Sequence, residues 1–398
     1  MSDAATVLPS RARPVAIDRL GVLIALIIAV AWIFLPFATD KANRIVQGQG
    51  RIAFDSLPPW QAALLAAIVA LSLAVAFFRT PTLWRLLVSV AALAILLILM
   101  GQSAFFLTPP GNKLVRISPG AGFWVLLFAY LLFAADALTR LKLPPWLRIG
   151  ALALAAIALA LLLVSGDLNG LSIMKEYFVR ADAFWREALT HMILAFGSLV
   201  AAIVVGVPLG ILAYRRLRLR AIVLNVLNAV QTIPSIALFG LLIAPLAWVA
   251  THIPGAAAIG ISGIGFTPAI MALFLYSLLP VVANTVVGLL GVPPDANDAA
   301  RGMGMTDRQR LMGIELPLAF PVILTGIRIV LVQNIGLATV AALIGGGGFG
   351  VFVFQGIGQT ALDLVLLGAV PTVLLAFAAA IILDAFVELT SIRQREEA

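Results

Sequence analysis

Ten apolar stretches punctuate the 398 residues, at roughly 20–38, 60–78, 84–101, 121–139, 149–165, 190–213, 222–250, 266–290, 321–344 and 362–388. Each has about 17 residues or more, enough to cross a bilayer as a helix. Only 11% of the residues are charged and 62% are hydrophobic. A soluble domain carries about 25% charged residues, so this chain cannot cover a water-facing surface. The stretches are continuously apolar rather than alternating, which excludes a membrane β-barrel. The expected fold class is all-α: a polytopic membrane protein of about ten transmembrane helices. The seventh stretch is overlong and contains Pro234 and Pro245. It is either broken or partly re-entrant, which is permitted where backbone lines a cavity.

The net charge of +8 reflects topology rather than nucleic-acid binding, because the basic residues cluster in short connections. With both termini in the cytoplasm, 17 of the 26 Lys and Arg residues fall in inner segments and 8 in outer ones, with Arg328 alone inside a span. The first stretch follows Arg11, Arg13 and Arg19, is long and has no clear A-x-A site, so it reads as a retained anchor. The absence of cysteine excludes disulfides, thiol catalysis and Cys-based metal sites. The two histidines, His191 and His252, are far apart, so no zinc set and no metal site is expected.

Polar residues divide the chain. Residues 1–166 form a region of five plain spans, and 167–188 a polar external segment. Residues 189–388 carry Asn225, Asn228, Gln231, Asn284, Arg328, Gln333 and Asn334 within spans, and 389–398 form a cytoplasmic tail. Polar groups are costly in hydrocarbon and face a bundle interior or a water path. The second region is therefore the expected working part.

A charged loop at 293–320 interrupts it. Asp298-Ala299-Ala300 is followed by Gly304 and, after nine residues, by Ile314-x-Leu316-Pro317. The sequence predicts a short helix near 295–303 ended by a glycine in the left-handed conformation. A second helix follows, capped by Thr306. This spacing resembles the "EAA" loop of ABC-importer permeases, with Asp298 for the usual Glu. More widely, residues 189–388 resemble permease subunits of glycine betaine/choline (osmoprotectant) importers. The resemblance is carried by Gln231-Thr232-Ile233-Pro234-Ser235, Leu275-Tyr276-Ser277-Leu278-Leu279-Pro280, Ala299 to Thr306, Glu315-Leu316-Pro317-Leu318, Gly326-Ile327-Arg328, Asn334 to Thr339 and the glycine run 345–348. The five added N-terminal spans are similar to the family's long form.

The resemblance implies a binding-protein-dependent ABC permease core, not an enzyme, in the bacterial inner membrane. It implies a second permease chain, a separate ATPase and a periplasmic binding protein that delivers substrate. Asp298, Ala299, Ala300, Gly304, Leu316 and Pro317 would then couple to the ATPase. The chain has no cofactor of its own: with no Gly-Lys dipeptide it lacks a phosphate loop, so ATP and Mg belong to the partner. Outer connections of at most about 25 residues leave no room for a fused binding domain.

Other residues keep two readings. Gln231, Ser235, Asn284, Gln333 and Asn334 line the translocation path or serve interhelical hydrogen bonding. Gly345, Gly346, Gly347 and Gly348 form a gate or hinge, or a turn with close packing. Arg328 snorkels to the cytoplasmic edge or pairs with Asp363 or Asp384. His191, Asp136, Asp363 and Asp384 read as boundary residues. An importer of an amino acid or other small solute is an alternative. An ion-coupled secondary transporter would need mid-span acids and no docking loop.

Overall fold

The computed structural model describes residues 17–43, 46–112 and 114–396, most of them in helices. Arg11, Arg13, Arg44 and Lys113 of the charge count lie outside the described residues. Among those described, nine helices are long and apolar enough to cross a membrane, and Arg19–Phe34 is a shorter apolar helix.

Contacts divide the chain into two units, the first reaching Leu143 and including Leu159–Met174. It contains α1 (Arg19–Phe34), α2 (Ala53–Ser56), α3 (Pro59–Phe77), α4 (Thr82–Leu107), α5 (Ala121–Leu141) and the end of α6 (Pro145–Val164). Gly21 lets α1 cross α3 closely, because a Cβ there would lie 1.8 Å from the Ala76 carbonyl oxygen. Ile24, Ile28, Leu65, Leu96 and Phe133 fill the core between these helices. One end of the unit carries a small sheet absent from the sequence reading. In it β1 (Ala38–Lys41) pairs antiparallel with β2 (Gln49–Arg51) and β3 (Arg116–Pro119), Ala38 lying opposite Arg51 and Pro119.

The other end holds buried charge. Arg85 lies 3.0 Å from Asp136 and 3.8 Å from Asp18, and Arg140 reaches both acids at 2.8 Å. The Arg85 guanidinium also sits 5.0 Å over the Phe133 ring. Arg85 and Asp136 are both buried, so residues 1–166 hold more internal charge than plain spans imply, although both lie near the ends of their helices, where the sequence placed Asp136. Two cations and two anions neutralise one another, which lets Arg85, Asp18 and Asp136 leave water while Arg140 stays partly exposed. Asp18 also caps α1, accepting from Gly21 N–H at 2.8 Å. Burial pushes the Asp18 carboxyl up, but the Arg140 hydrogen bond, the Gly21 N–H and the two arginine charges outweigh it. The group therefore lies below the ordinary carboxylate value of 3.8.

The second unit takes Pro144–Ala158 and everything from Lys175. It holds most of α7 (Ser172–Val179), then α8 (Ala181–Met192), which passes through a π turn (Ile193–Gly197) into α9 (Ser198–Arg215). The sixth span thus begins near 181 rather than 190. Its first turns carry Asp182, Arg186 and Glu187, so hydropathy hides a helix that hydrogen bonding continues. The overlong stretch is broken: α10 (Leu217–Thr232) stops before Pro234 and α11 (Ser235–His252) follows it. Proline has no N–H to continue the ladder and disfavours a helical residue before it. Next come α12 (Phe266–Leu290), α13 (Pro294–Gly302) and α14 (Asp307–Arg310). A second π turn (Leu311–Glu315) leads into α15 (Leu316–Val340), which ends in a 3₁₀ turn (Ala341–Ile344). The unit closes with α16 (Gly350–Gly358) and α17 (Leu362–Glu396).

Helices α9, α12 and α15 pack through small residues. A Cβ on Gly210 would lie 2.6 Å from Thr285 Cβ, and one on Gly326 2.7 Å from Asn284 Cβ. Small residues let membrane helices approach closely, where packing rather than hydrophobic exclusion holds them together.

Candidate functional site

Pro294 starts α13 at a position that needs no N–H donor, and the helix closes three turns later in a Schellman arrangement. Met305 N–H donates to the Ala300 carbonyl at 3.1 Å and Gly304 N–H to that of Arg301 at 2.9 Å. Gly304 has φ +78°. Thr306 then caps α14 as its sequence predicts, in a full capping box: Gln309 N–H donates to Thr306 Oγ1 at 3.3 Å and Thr306 N–H to Gln309 Oε1 at 2.8 Å. The turn between the two short helices is thus closed by local hydrogen bonds.

The six residues expected at the coupling loop divide by burial. Asp298, Ala299, Gly304 and Pro317 are exposed, whereas Ala300 is buried and Leu316 half-buried. Leu316 packs beside Leu289, Val292 and Ile323. Ala300 and Leu316 therefore hold the loop from within. Asp298 meets Arg301 only loosely, at 3.8 Å. The sequence reading missed Met303 and Met312, which are 71% and 62% exposed beside the charged residues. Methionine adapts readily to a contacting surface.

Behind the loop lies a buried carboxylate, also missed. Glu315 is 1% exposed. Its Oε2 accepts from Arg215 Nη2 at 3.0 Å and its Oε1 from Arg310 Nε at 3.1 Å. Arg310 continues to Asp307 at 2.8 Å. Both arginines had been counted only as topology signals.

The five candidate pathway residues do not converge. Asn334 is fully buried and its amide lies 2.8 Å from both Ser198 Oγ and Ser277 Oγ, joining α15 to α9 and α12. In this conformation it borders no open space, so its packing reading fits the geometry. Gln231 donates to the Tyr276 carbonyl at 2.9 Å, and Tyr276 OH donates back to Ile233. Asn284 donates to the Pro280 carbonyl of its own helix at 2.8 Å. Ser235 is half-buried at the start of α11. Gln333 faces a groove of about 570 Å³ between α15 and α17, with Arg328, Ile329, Val332, Ala380, Ile381 and Asp384. There Arg328 pairs with Asp384, one of the two acids the sequence offers it, and Arg148 reaches Asp384 at 3.4 Å and Glu388 at 3.0 Å.

The glycine run is a clasped turn. Gly345, Gly347 and Gly348 have φ of +77°, +78° and +83°. Gly348 N–H donates to Glu187 Oε2 at 2.7 Å, and Phe349 N–H to His191 Nδ1 at 3.4 Å. His191 is buried, its ring centroid 4.9 Å from that of Phe349. The Phe349 ring shields the imidazole from solvent, which hydropathy at position 191 cannot reveal.

Residues 202–395 match the family model described as binding-protein-dependent transport system inner membrane component. Residues 18–174 match that of ABC transporter permease YehY, N-terminal domain. The osmoprotectant import permease protein OsmW of Salmonella typhimurium is 44% identical over 202 residues, 50% of this chain and 89% of that protein. The carnitine transport permease protein OpuCB of Listeria monocytogenes is 38% identical over 186 residues, 47% of this chain and 78% of that protein. The choline transport system permease protein OpuBB of Bacillus subtilis is 36% identical over the same length and shares. A multi-pass helical bundle, a capped helix pair leading to Leu316-Pro317 at the start of α15, and relatives of this kind agree: the chain belongs to the family of ABC-importer permease subunits, in the osmoprotectant-permease branch, and carries an added N-terminal membrane region.

Proposed function

We propose that this subunit carries a small osmoprotectant, such as glycine betaine, choline or a related quaternary ammonium compound, across the inner membrane. An ATPase drives it from the cytoplasmic side, and an external binding protein supplies the solute. Asp298, Ala299 and Gly304, with Met303 beside them, form the docking surface, supported by Ala300, Leu316 and Pro317. The observation that carries this reading is the α13–α14 pair joined by the Gly304 turn and the Thr306 capping box, whose exposed face is polar at Asp298 and apolar at Met303. ATP and Mg are the partner's. Two permease chains enclose the path, with Gln231, Ser235, Asn284 and Gln333 nearest to it, and Asn334 joining them only if α9, α12 and α15 separate. The turn at Gly345–Gly348 is the outer gate. Both termini and the docking loop are cytoplasmic.

The test uses the native absence of cysteine. Asp298→Cys should cross-link to the ATPase in the assembled complex, and vesicles holding the complex should take up radiolabelled glycine betaine only with ATP and the binding protein present. Uptake without ATP would sink the importer reading.

A further inference from the structure

Helix α13 rests on the π turn Leu311–Glu315. That turn is continuous with α14 on one side and with α15 on the other. A π turn inside a longer helix is rare in general and is found frequently at functional sites. Here it carries Glu315, which is 1% exposed, with Arg310 of the preceding turn on one oxygen and Arg215 of α9 on the other. The α9 end is itself fixed: Arg220 donates to the carbonyls of Ala213 and Tyr214 at 3.3 and 3.1 Å. Around the carboxylate, Tyr214, Leu311 and Leu316 pack against Leu289, Val292, Ala319 and Ile323. The ends of α9, α12 and α15 therefore meet at one joint, and the direct ionic tie between α9 and the joint runs through Glu315.

We propose that Glu315 is the positioning residue through which the docking loop moves the membrane helices: force on α13 reaches the π turn, and the Glu315–Arg215 pair transfers it to α9. A fully apolar joint would hold the same elements together but could slide. Here Arg310 and Arg215 each give a single N–H to a different oxygen of the carboxylate, and charge-assisted hydrogen bonds of this kind are strong and directional. The pair thus gives one helix a defined response to the other, as a two-state element requires. The proposal rests on the docking reading above.

The experiment reconstitutes the whole complex in vesicles and compares the native chain with Glu315→Gln, Arg215→Ala and Arg215→Lys. Three quantities are read: ATPase co-purification, basal ATP hydrolysis, and stimulation of hydrolysis by glycine betaine-loaded binding protein added outside. In Glu315→Gln and Arg215→Ala, co-purification and basal hydrolysis should persist while stimulation falls by about tenfold, the size of a typical coupling between sites. Arg215→Lys keeps the charge and should retain most of the stimulation, which a merely structural role would not discriminate. Undiminished stimulation in Glu315→Gln and Arg215→Ala overturns the proposal. So does loss of the ATPase from those complexes, since Glu315 would then only shape the docking face. Failure of Asp298→Cys to cross-link in the otherwise native chain counts instead against the docking reading.

Discussion

Gly304 has room for a side chain, since a Cβ there would meet nothing within 4 Å; only its φ of +78° favours glycine. Left-handed backbone costs an L residue about 1–2 kcal/mol, least for Asn. Gly304→Val should therefore lose ATPase co-purification while the protein still inserts, and Gly304→Asn should keep most of it. The Asp18–Arg85–Asp136–Arg140 cluster makes the opposite demand, because its members are fixed by partners rather than by backbone. Arg85→Met leaves two buried acids with Arg140 alone and should cost about 3–5 kcal/mol, read as a lower melting temperature in detergent. Asp18 adds a pH dependence. Its folded-state value is depressed, so its contribution is complete well above 3.8 and is lost as pH falls below it. Asp18→Asn should flatten that acid limb of the melting curve and leave the neutral-pH slope unchanged.

Elements defined by local chemistry were legible in the sequence. Pro234 broke the seventh stretch, Thr306 capped α14, and the long apolar stretches gave most spans. What could not be read depends on pairing across the chain. Arg85 and Asp136 are 51 positions apart, and Arg215 and Glu315 are 100 apart. The strands of three or four residues exist only because distant segments meet. Helix α8 was hidden for another reason, its charged residues masking a helix that still hydrogen-bonds into the span. The buried amides were visible, but their partners were not. Asn334→Leu deprives Ser198 and Ser277 of a shared partner, yet both hydroxyls already donate within their own helices, at 2.6 Å to Leu194 and Leu273. The expected cost is about 1–2 kcal/mol, so the complex should assemble normally when purified from membranes. A transport defect in that intact complex would show that the knot matters for motion rather than for folding.

At the scale of the whole chain, segments that the alternation of spans assigns to one side do meet one another. Asp18 lies with Arg85 and Arg140, β1 with β3, Arg215 with Glu315, and Glu187 with Gly348. Within each unit these pairings agree with the alternation, whereas the choice of inside and outside rests on charge. Single cysteines at Asp182 and Arg308 test that choice: an impermeant thiol reagent on cells with a permeabilised outer membrane should label 182 and spare 308. The relatives match half of this chain but 78–89% of their own length, so they manage without the first unit. A chain beginning at Ser172 also loses Pro144–Ala158 of the second unit, and with it the Arg148 ties to Asp384 and Glu388, but should still bind the ATPase in detergent.

The π turn at Leu311–Glu315 also fixes an azimuth. One residue inserted in a helix advances everything beyond it by about 100° around the axis. The compass bearing of α13 about α15 is thus set by a single residue. Gly313, exposed in that turn, is a residue whose deletion would swing that bearing.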